Sequence, residues 1–93
     1  MIRSWRNSAT RKVWDGEQPN QFRGLDFEAA IDLLVALNVA KSLGDLVPSV
    51  GLHKLKGDRK KQWAMTVNER WRICFEFHKG DAHEVEIVDY HKG

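Results

Sequence analysis

The stretch from Trp63 to Val88, WAMTVNERWRICFEFHKGDAHEVEIV, alternates apolar and polar residues with a period of two. This period predicts β-strands that bury one of their two faces. Two turn sequences, NE at 68–69 and HKGD at 78–81, interrupt the alternation and divide it into three strands. Because tight turns join neighbouring antiparallel strands, the stretch predicts an antiparallel meander.

The residues upstream of the meander have helical periodicity. Asp26 is the expected N-cap of a helix from Phe27 to Ala40, and Ser8 is the expected N-cap of a shorter helix over residues 9–15. Residues 2–5 alternate as a short strand would. Helices that cover the apolar face of a meander give an α+β fold, here with an N-terminal strand and two helices packed on the sheet.

The longer helix carries more apolar residues than one buried stripe requires. Leu33, Val35 and Val39 lie outside that stripe. Deep burial between other elements would explain them, and so would a second face that binds a protein partner. After this helix, Gly44 is expected to break the helical structure and Pro48 to end one short turn.

Length and composition describe a single globular domain over residues 1–93, with 42% apolar and 30% charged residues and a net charge of +2. Cys74 is the only cysteine, which excludes an intrachain disulfide and fits a reducing compartment. One cysteine and four scattered histidines lack metal-ligand spacing. Neither a signal peptide nor a membrane span is recognisable, so we expect a soluble cytoplasmic protein.

The segment from His53 to Lys61, HKLKGDRKK, holds five lysine or arginine residues and one acid. Such a cluster is typical of a phosphate-binding surface, although on composition alone a solvated basic turn is the simpler explanation. Arg72 alternates with the apolar residues of the middle strand. We therefore expect its side chain to lie on the polar face of the sheet rather than in the core.

The last predicted strand leads into Asp89, Tyr90 and His91. Strict alternation would bury Asp89 and His91 on the same side as Val85 and Ile87. An unpaired polar group is costly to bury. We therefore expect the strand to have passed the edge of the core, with these side chains in a cleft at the end of the sheet.

His53, Asp89, Tyr90 and His91, with nearby cations, make up the set of groups that RNA cleavage requires. A base takes the proton of the 2′-hydroxyl, cations stabilise the negative charge on the phosphate, and an acid protonates the departing 5′-oxygen. Histidine can serve as either base or acid near neutral pH. A terminal DYH triplet is more often a polar tail than an active site, so the residues alone indicate a small α+β domain compatible with RNA binding.

Residues 52–91, LHKLKGDRKKQWAMTVNERWRICFEFHKGDAHEVEIVDYH, closely resemble the HigB family of toxins within the RelE-like superfamily. The motifs that carry the resemblance are LKGDR, VNERWRICFEF, GDA and DYH, and MIRSWRN and the helical segments extend it over nearly the whole chain. It implies the compact RelE-like fold. It also implies a ribosome-dependent endonuclease that cuts messenger RNA in the decoding site, with no metal or other cofactor.

The resemblance also assigns catalytic positions. The family's histidine in the stretch before LKGDR matches His53, and its terminal triplet matches Asp89, Tyr90 and His91. Either His53 or His91 would be the base and the other the acid, and these assignments remain open. Asp89 would act as a base or orient a histidine, and Tyr90 would contact the phosphate, donate a proton or stack on a base.

The phosphate-binding positions that the resemblance implies are Lys56, Arg59 and Arg72. Lys56 and Arg72 are the better candidates for stabilising the charge on the phosphate. Lys54 departs from the family, in which proline is common at this position. The lysine adds a charge beside His53 and removes a rigid element next to it.

The partner that the resemblance implies is a HigA-type antitoxin with a helix-turn-helix domain, whose complex with the toxin represses their operon. Operator DNA would therefore be contacted only through that complex, while the toxin itself meets the ribosome and messenger RNA, and no membrane is involved. Two other functions remain open: a ParE-like toxin that acts on DNA gyrase, and a non-catalytic RNA-binding module. The joint presence of His53, Asp89, Tyr90 and His91 argues against the ParE-like function.

Overall fold

The computed structural model describes residues 1–46 and 51–89. Within these ranges the chain forms two α-helices, four strands and two 3₁₀ turns. In chain order they are α1 Ser8–Trp14, α2 Phe27–Val39, a 3₁₀ turn Leu43–Asp45, β1 His53–Lys54, a 3₁₀ turn Gly57–Arg59, β2 Trp63–Thr66, β3 Trp71–His78 and β4 Asp81–Asp89. The short turn expected around Gly44 is the 3₁₀ turn Leu43–Asp45, and its expected end at Pro48 falls outside the described residues.

The four strands form one antiparallel sheet in the order β1-β2-β3-β4. The three strands of the predicted meander are confirmed as β2, β3 and β4. The sequence did not predict β1, because its two residues are too few to show a period. It adds His53 to the edge of the sheet, where this residue pairs with Ala64.

The N-terminal segment lies beside β4, but as two isolated parallel bridges rather than as the predicted strand. Ile2 pairs with Ala82 and Trp5 pairs with Val85. Between these bridges the N–H of Glu84 donates to Ser4 Oγ at 2.9 Å, where a regular ladder would use a backbone carbonyl. Glu84 has a φ of 54° at a bulge of β4, and the irregular backbone there prevents a continuous ladder.

Side-chain caps fix the starts of both helices. Asp26 is confirmed as the N-cap of α2, since its Oδ1 accepts from the Ala29 N–H at 3.0 Å. The prediction of Ser8 as the cap of α1 is wrong by one residue. Asn7 caps that helix, because its Oδ1 accepts from the Thr10 N–H at 2.9 Å and leaves Ser8 as the first helical residue.

Both helices cover the same face of the sheet and enclose the core. Phe75 and Ile73 of β3 are fully buried there. Leu33 of α2 is only partly buried, and Val35 and Val39 remain 47% and 68% exposed. Burial therefore does not account for all of the apolar width of α2. The buried core residues are Val13, Phe22, Leu25, Ala30, Leu34, Leu37, Ala40, Leu46, Met65, Trp71, Ile73, Phe75, Ala82, Val85 and Ile87.

No helix within residues 1–46 and 51–89 is long and apolar enough to span a bilayer.

A buried hydrogen bond joins α1 to β4. Thr10 is fully buried, and its Oγ1 accepts from the Ile87 N–H at 3.0 Å. We expect Thr10→Val to lower the free energy of unfolding by about 1–3 kcal/mol, because it leaves that buried N–H without an acceptor. Urea denaturation measures the change. Thr10→Ser, which keeps the hydroxyl, is the control, and equal losses in the two variants would assign the effect to packing instead.

Candidate functional site

A depression of about 160 Å³ lies on the face of the sheet away from the helices, which we call the open face. Ala64, Cys74 and Glu86 are cross-strand neighbours and therefore share this face. The depression lies at the end of the sheet where β3 begins and β4 ends. Its lining residues are Leu55, Arg59, Ala64, Arg72, Cys74, Val88 and Asp89.

Arg72 lines this depression from β3. Its register partner is Val88, so it lies on the open face and away from the helical core, as predicted. The residue is nevertheless half-buried. Its Nη1 folds back and donates to the carbonyl oxygens of Asn68 at 2.8 Å and Trp71 at 3.1 Å. The guanidinium is thus held by the β2–β3 turn at a fixed place beside the depression.

Arg59 lines the same depression from the 3₁₀ turn Gly57–Arg59. Gly57 has a φ of 70°, a left-handed conformation that favours glycine and explains its place in the LKGDR motif. The guanidinium of Arg59 donates to Gln62 Oε1 at 2.9 Å and to Glu86 Oε1 at 3.4 Å. Lys56 immediately precedes this turn and is exposed to solvent.

Cys74 forms part of the floor of the depression and is 3% exposed. Burial raises the pKa of its thiol, and nearby Arg59 opposes that shift. A thiol with a raised pKa is a poor nucleophile at neutral pH. Cys74 is therefore a small buried side chain rather than a reactive one.

His53 lies on the open face but at the rim of the site. It is exposed, and its Nδ1 is 3.1 Å from the carbonyl oxygen of Gly51. It does not belong to the lining of the depression. Since neighbouring strands are about 4.8 Å apart, β1 is about 10 Å from the strand that carries Arg72.

Asp89 ends β4 and borders the depression. Its register partner is Trp71, and its side chain is 10% exposed. Oδ2 accepts from Arg70 Nη2 at 2.5 Å, and this hydrogen bond raises the pKa of the Arg70 guanidinium. The carboxylate is therefore nearly buried and paired with Arg70, a partner that the sequence did not predict. Tyr90 and His91 lie outside the described residues.

A family model described as the RelE-like toxin HigB of type II toxin–antitoxin systems matches residues 10–91. The matched range includes every catalytic and phosphate-binding residue predicted from the sequence. The chain belongs to the HigB family of toxins. As a type II toxin it has an antitoxin as partner.

A HigB relative aligns over almost the full length of the chain. It is "Endoribonuclease HigB" of Proteus vulgaris, 34% identical over 92 residues, which are 98% of this chain and 100% of the relative. A crystal structure of a mutant of YafQ from E. coli matches 99% of this chain and 94% of its own with a TM-score of 0.66. At 16% identity this match shows a shared fold, and it confirms the compact α+β architecture that the resemblance implied.

Of the five predicted site residues that the structure of this HigB-family toxin describes, three lie together. Arg59, Arg72 and Asp89 line the depression, while Lys56 and His53 are exposed residues outside its lining. Among residues 1–46 and 51–89, no group of three or more His, Cys, Asp or Glu side chains is placed to hold a metal ion.

Three residues at this site had no signal strong enough to be singled out from sequence. Gln62 and Glu86 contact the guanidinium of Arg59, and Arg70 pairs with Asp89. Glu86 had one usable indication, since it is an acid on the polar side of the last predicted strand. Its contact with Arg59 spans 27 positions and depends on the folded backbone.

Proposed function

We propose that this HigB-family toxin is an endoribonuclease that cleaves messenger RNA in the decoding site of the ribosome and so inhibits translation. The observation that carries the proposal is the pair of restrained guanidinium groups, Arg59 and Arg72, which border one depression beside Asp89. The relative named as an endoribonuclease, aligned over nearly the whole chain, supports it.

The proposed reaction is attack by the 2′-hydroxyl on the adjacent phosphate. A base takes the hydroxyl proton, the 2′-oxygen bonds to phosphorus, and the bond from phosphorus to the 5′-oxygen breaks as an acid protonates that oxygen. The products are a 2′,3′-cyclic phosphate and a 5′-hydroxyl. Arg59 and Arg72 would stabilise the negative charge that develops on the phosphate, because both are fixed before the charge appears.

The proton-transfer groups of this reaction are proposed to be His53, Asp89, Tyr90 and His91. Exposed His53 lies on the same face as Arg72, so RNA that crosses the depression towards β1 would approach it. Asp89 lies beside the depression at the end of β4. Lys56 would contact a flanking phosphate from the basic segment.

RNA is expected to cross the end of the sheet rather than run along β3. Glu76 lies on the open face beyond Cys74, and Glu86, opposite Cys74, is paired with Arg59, whereas Arg72 lies nearer the other end of that face, opposite Val88. Among the described residues, this leaves a short cationic surface for the phosphate backbone. Such a surface holds few nucleotides, so the ribosome would supply the alignment of the message.

We therefore predict that cleavage requires ribosomes. In a reconstituted translation reaction, mapping of RNA ends should show cuts in the translated message, whereas free message of the same sequence remains intact. Cleavage of free message at the same rate would contradict the requirement. Arrest of supercoiling by gyrase without RNA cuts would favour the ParE-like function, and RNA binding without cuts would favour a non-catalytic module.

The proposed partner is a HigA-type antitoxin with a helix-turn-helix domain. In the toxin–antitoxin complex, the antitoxin would make the contacts with operator DNA. The proposed place of action is the cytoplasm, where ribosomes and message meet. Copurification of the coexpressed pair, followed by a gel-shift assay on the operator with and without the toxin, tests this assignment. Binding of operator by the toxin alone would contradict it.

A further inference from the structure

We propose that Glu86 and Gln62 are positioning residues that hold the guanidinium of Arg59 at the depression before RNA binds. The inference rests on the proposed ribonuclease function and deepens it. A free arginine side chain samples many rotamers, and ordering it during the reaction would raise the barrier. A guanidinium that is already fixed avoids this cost and stabilises charge as soon as it develops.

Gln62 holds Arg59 from the side of the basic segment. Its side chain is 5% exposed, and its Oε1 accepts from Arg59 Nη1 at 2.9 Å. Its backbone is fixed as well, since the Gln62 N–H donates to the Arg59 carbonyl at 2.8 Å and its carbonyl accepts from the Leu55 N–H at 3.0 Å. Gln62 is therefore a rigid support for the turn and for the side chain that leaves it.

Glu86, which lies on β4, contacts the other terminal nitrogen of the guanidinium, Nη2. Its Oε1 lies 3.4 Å from Arg59 Nη2 and 3.7 Å from Arg6 Nε, while its Oε2 lies 3.4 Å from Asn7 Nδ2. The Glu86 side chain is 17% exposed. It is anchored by the N-terminal segment and does not line the depression. The carboxylate therefore acts on RNA through Arg59 and not by direct contact.

The test is a double-mutant cycle on cleavage of ribosome-bound message under single-turnover conditions. Glu86→Gln should lower the rate at saturating toxin by about ten- to hundredfold, with little change in the toxin concentration needed for half-saturation. In an Arg59→Ala background, Glu86→Gln should cause no further loss, because the cation it positions is gone. Gln62→Met, which keeps the volume but removes the amide, should behave like Glu86→Gln.

The matched control is Glu76→Gln, which removes the same charge from the open face at β3. Glu76 is 30% exposed, and its Oε1 lies 3.6 Å from His78 Nε2, outside the lining of the depression. The Glu76→Gln variant should cleave ribosome-bound message at the rate of the wild type. Thermal unfolding of each variant reports whether the fold is retained.

A second measurement reports on Arg59 without RNA. Nuclear magnetic resonance of the arginine side chains should show restricted rotation of the Arg59 guanidinium in the wild type and averaging in Glu86→Gln. Independent rate losses that multiply in the double mutant, or a faster rate in Glu86→Gln, would overturn the inference. Absence of message cleavage by the wild type would instead overturn the proposed function.

Discussion

A chain that ends at Val88 is expected to fold, bind its antitoxin and lose RNA cleavage. The deletion removes Asp89, Tyr90 and His91, three of the four groups proposed for proton transfer. Loss of acid–base catalysis should slow cleavage by at least about 10²–10⁴-fold. Val85 and Ile87 remain buried against the helices, so the core keeps its contacts with β4. Growth arrest on induction and mapping of RNA ends measure the effect.

The matched control is a chain that ends at His91, which keeps the DYH triplet and should retain full activity. His91→Ala and Asp89→Ala should each lose much of the same activity, because groups that act as a unit are not additive. Antitoxin binding should survive, since Val35 and Val39 leave an apolar surface on α2 that the deletion does not touch. If the chain ending at Val88 folds and still cuts message, the triplet is not the catalytic site.

Arg72→Ala is expected to cost about 2–4 kcal/mol of transition-state stabilisation, by analogy with the loss of one oxyanion-hole donor. The half-buried guanidinium also binds the carbonyl oxygens of Asn68 and Trp71, so a small decrease in melting temperature should accompany the loss of activity. Single-turnover cleavage and thermal unfolding measure the two effects. Arg72→Lys keeps the charge but not the planar arrangement of donors, and should restore only part of the rate.

Arg11→Ala is the control for the loss of one positive charge. Arg11 is 66% exposed on α1, where it pairs with Asp15. Neither residue lines the depression, so the variant should cleave at the rate of the wild type. A large decrease in the melting temperature of Arg72→Ala, in proportion to its loss of activity, would show that Arg72 has a structural role.

Much of the sheet was predictable because burial imposes a period of two on each long strand. Ile73, Phe75, Val85 and Ile87 alternate in sequence and are all buried in the structure. Short features were not predictable in this way. The two residues of β1 show no period, and the choice between Asn7 and Ser8 as N-cap depends on one hydrogen bond.

The candidate site was predictable only where a side chain itself suggested chemistry. Arg72 was expected on the open face from alternation alone. The restraint of the Arg59 guanidinium was not predictable, because its two acceptors lie in separate parts of the chain. Gln62 is close to Arg59 in sequence, whereas Glu86 is on β4. The pairing of Arg70 with Asp89 likewise follows from strand register, which brings Asp89 opposite Trp71.

The pairing of the N-terminal segment with β4 bears on how this toxin is made. The bridge from Ile2 to Ala82 and the hydrogen bond from Ile87 to Thr10 join positions nearly eighty residues apart. Contacts of such long range form late in folding, because the intervening chain must be present and its ends brought together. On the ribosome, α1 has no buried partner on β4 until that strand has been synthesised. An unfinished toxin chain therefore lacks both the closed core and the assembled depression.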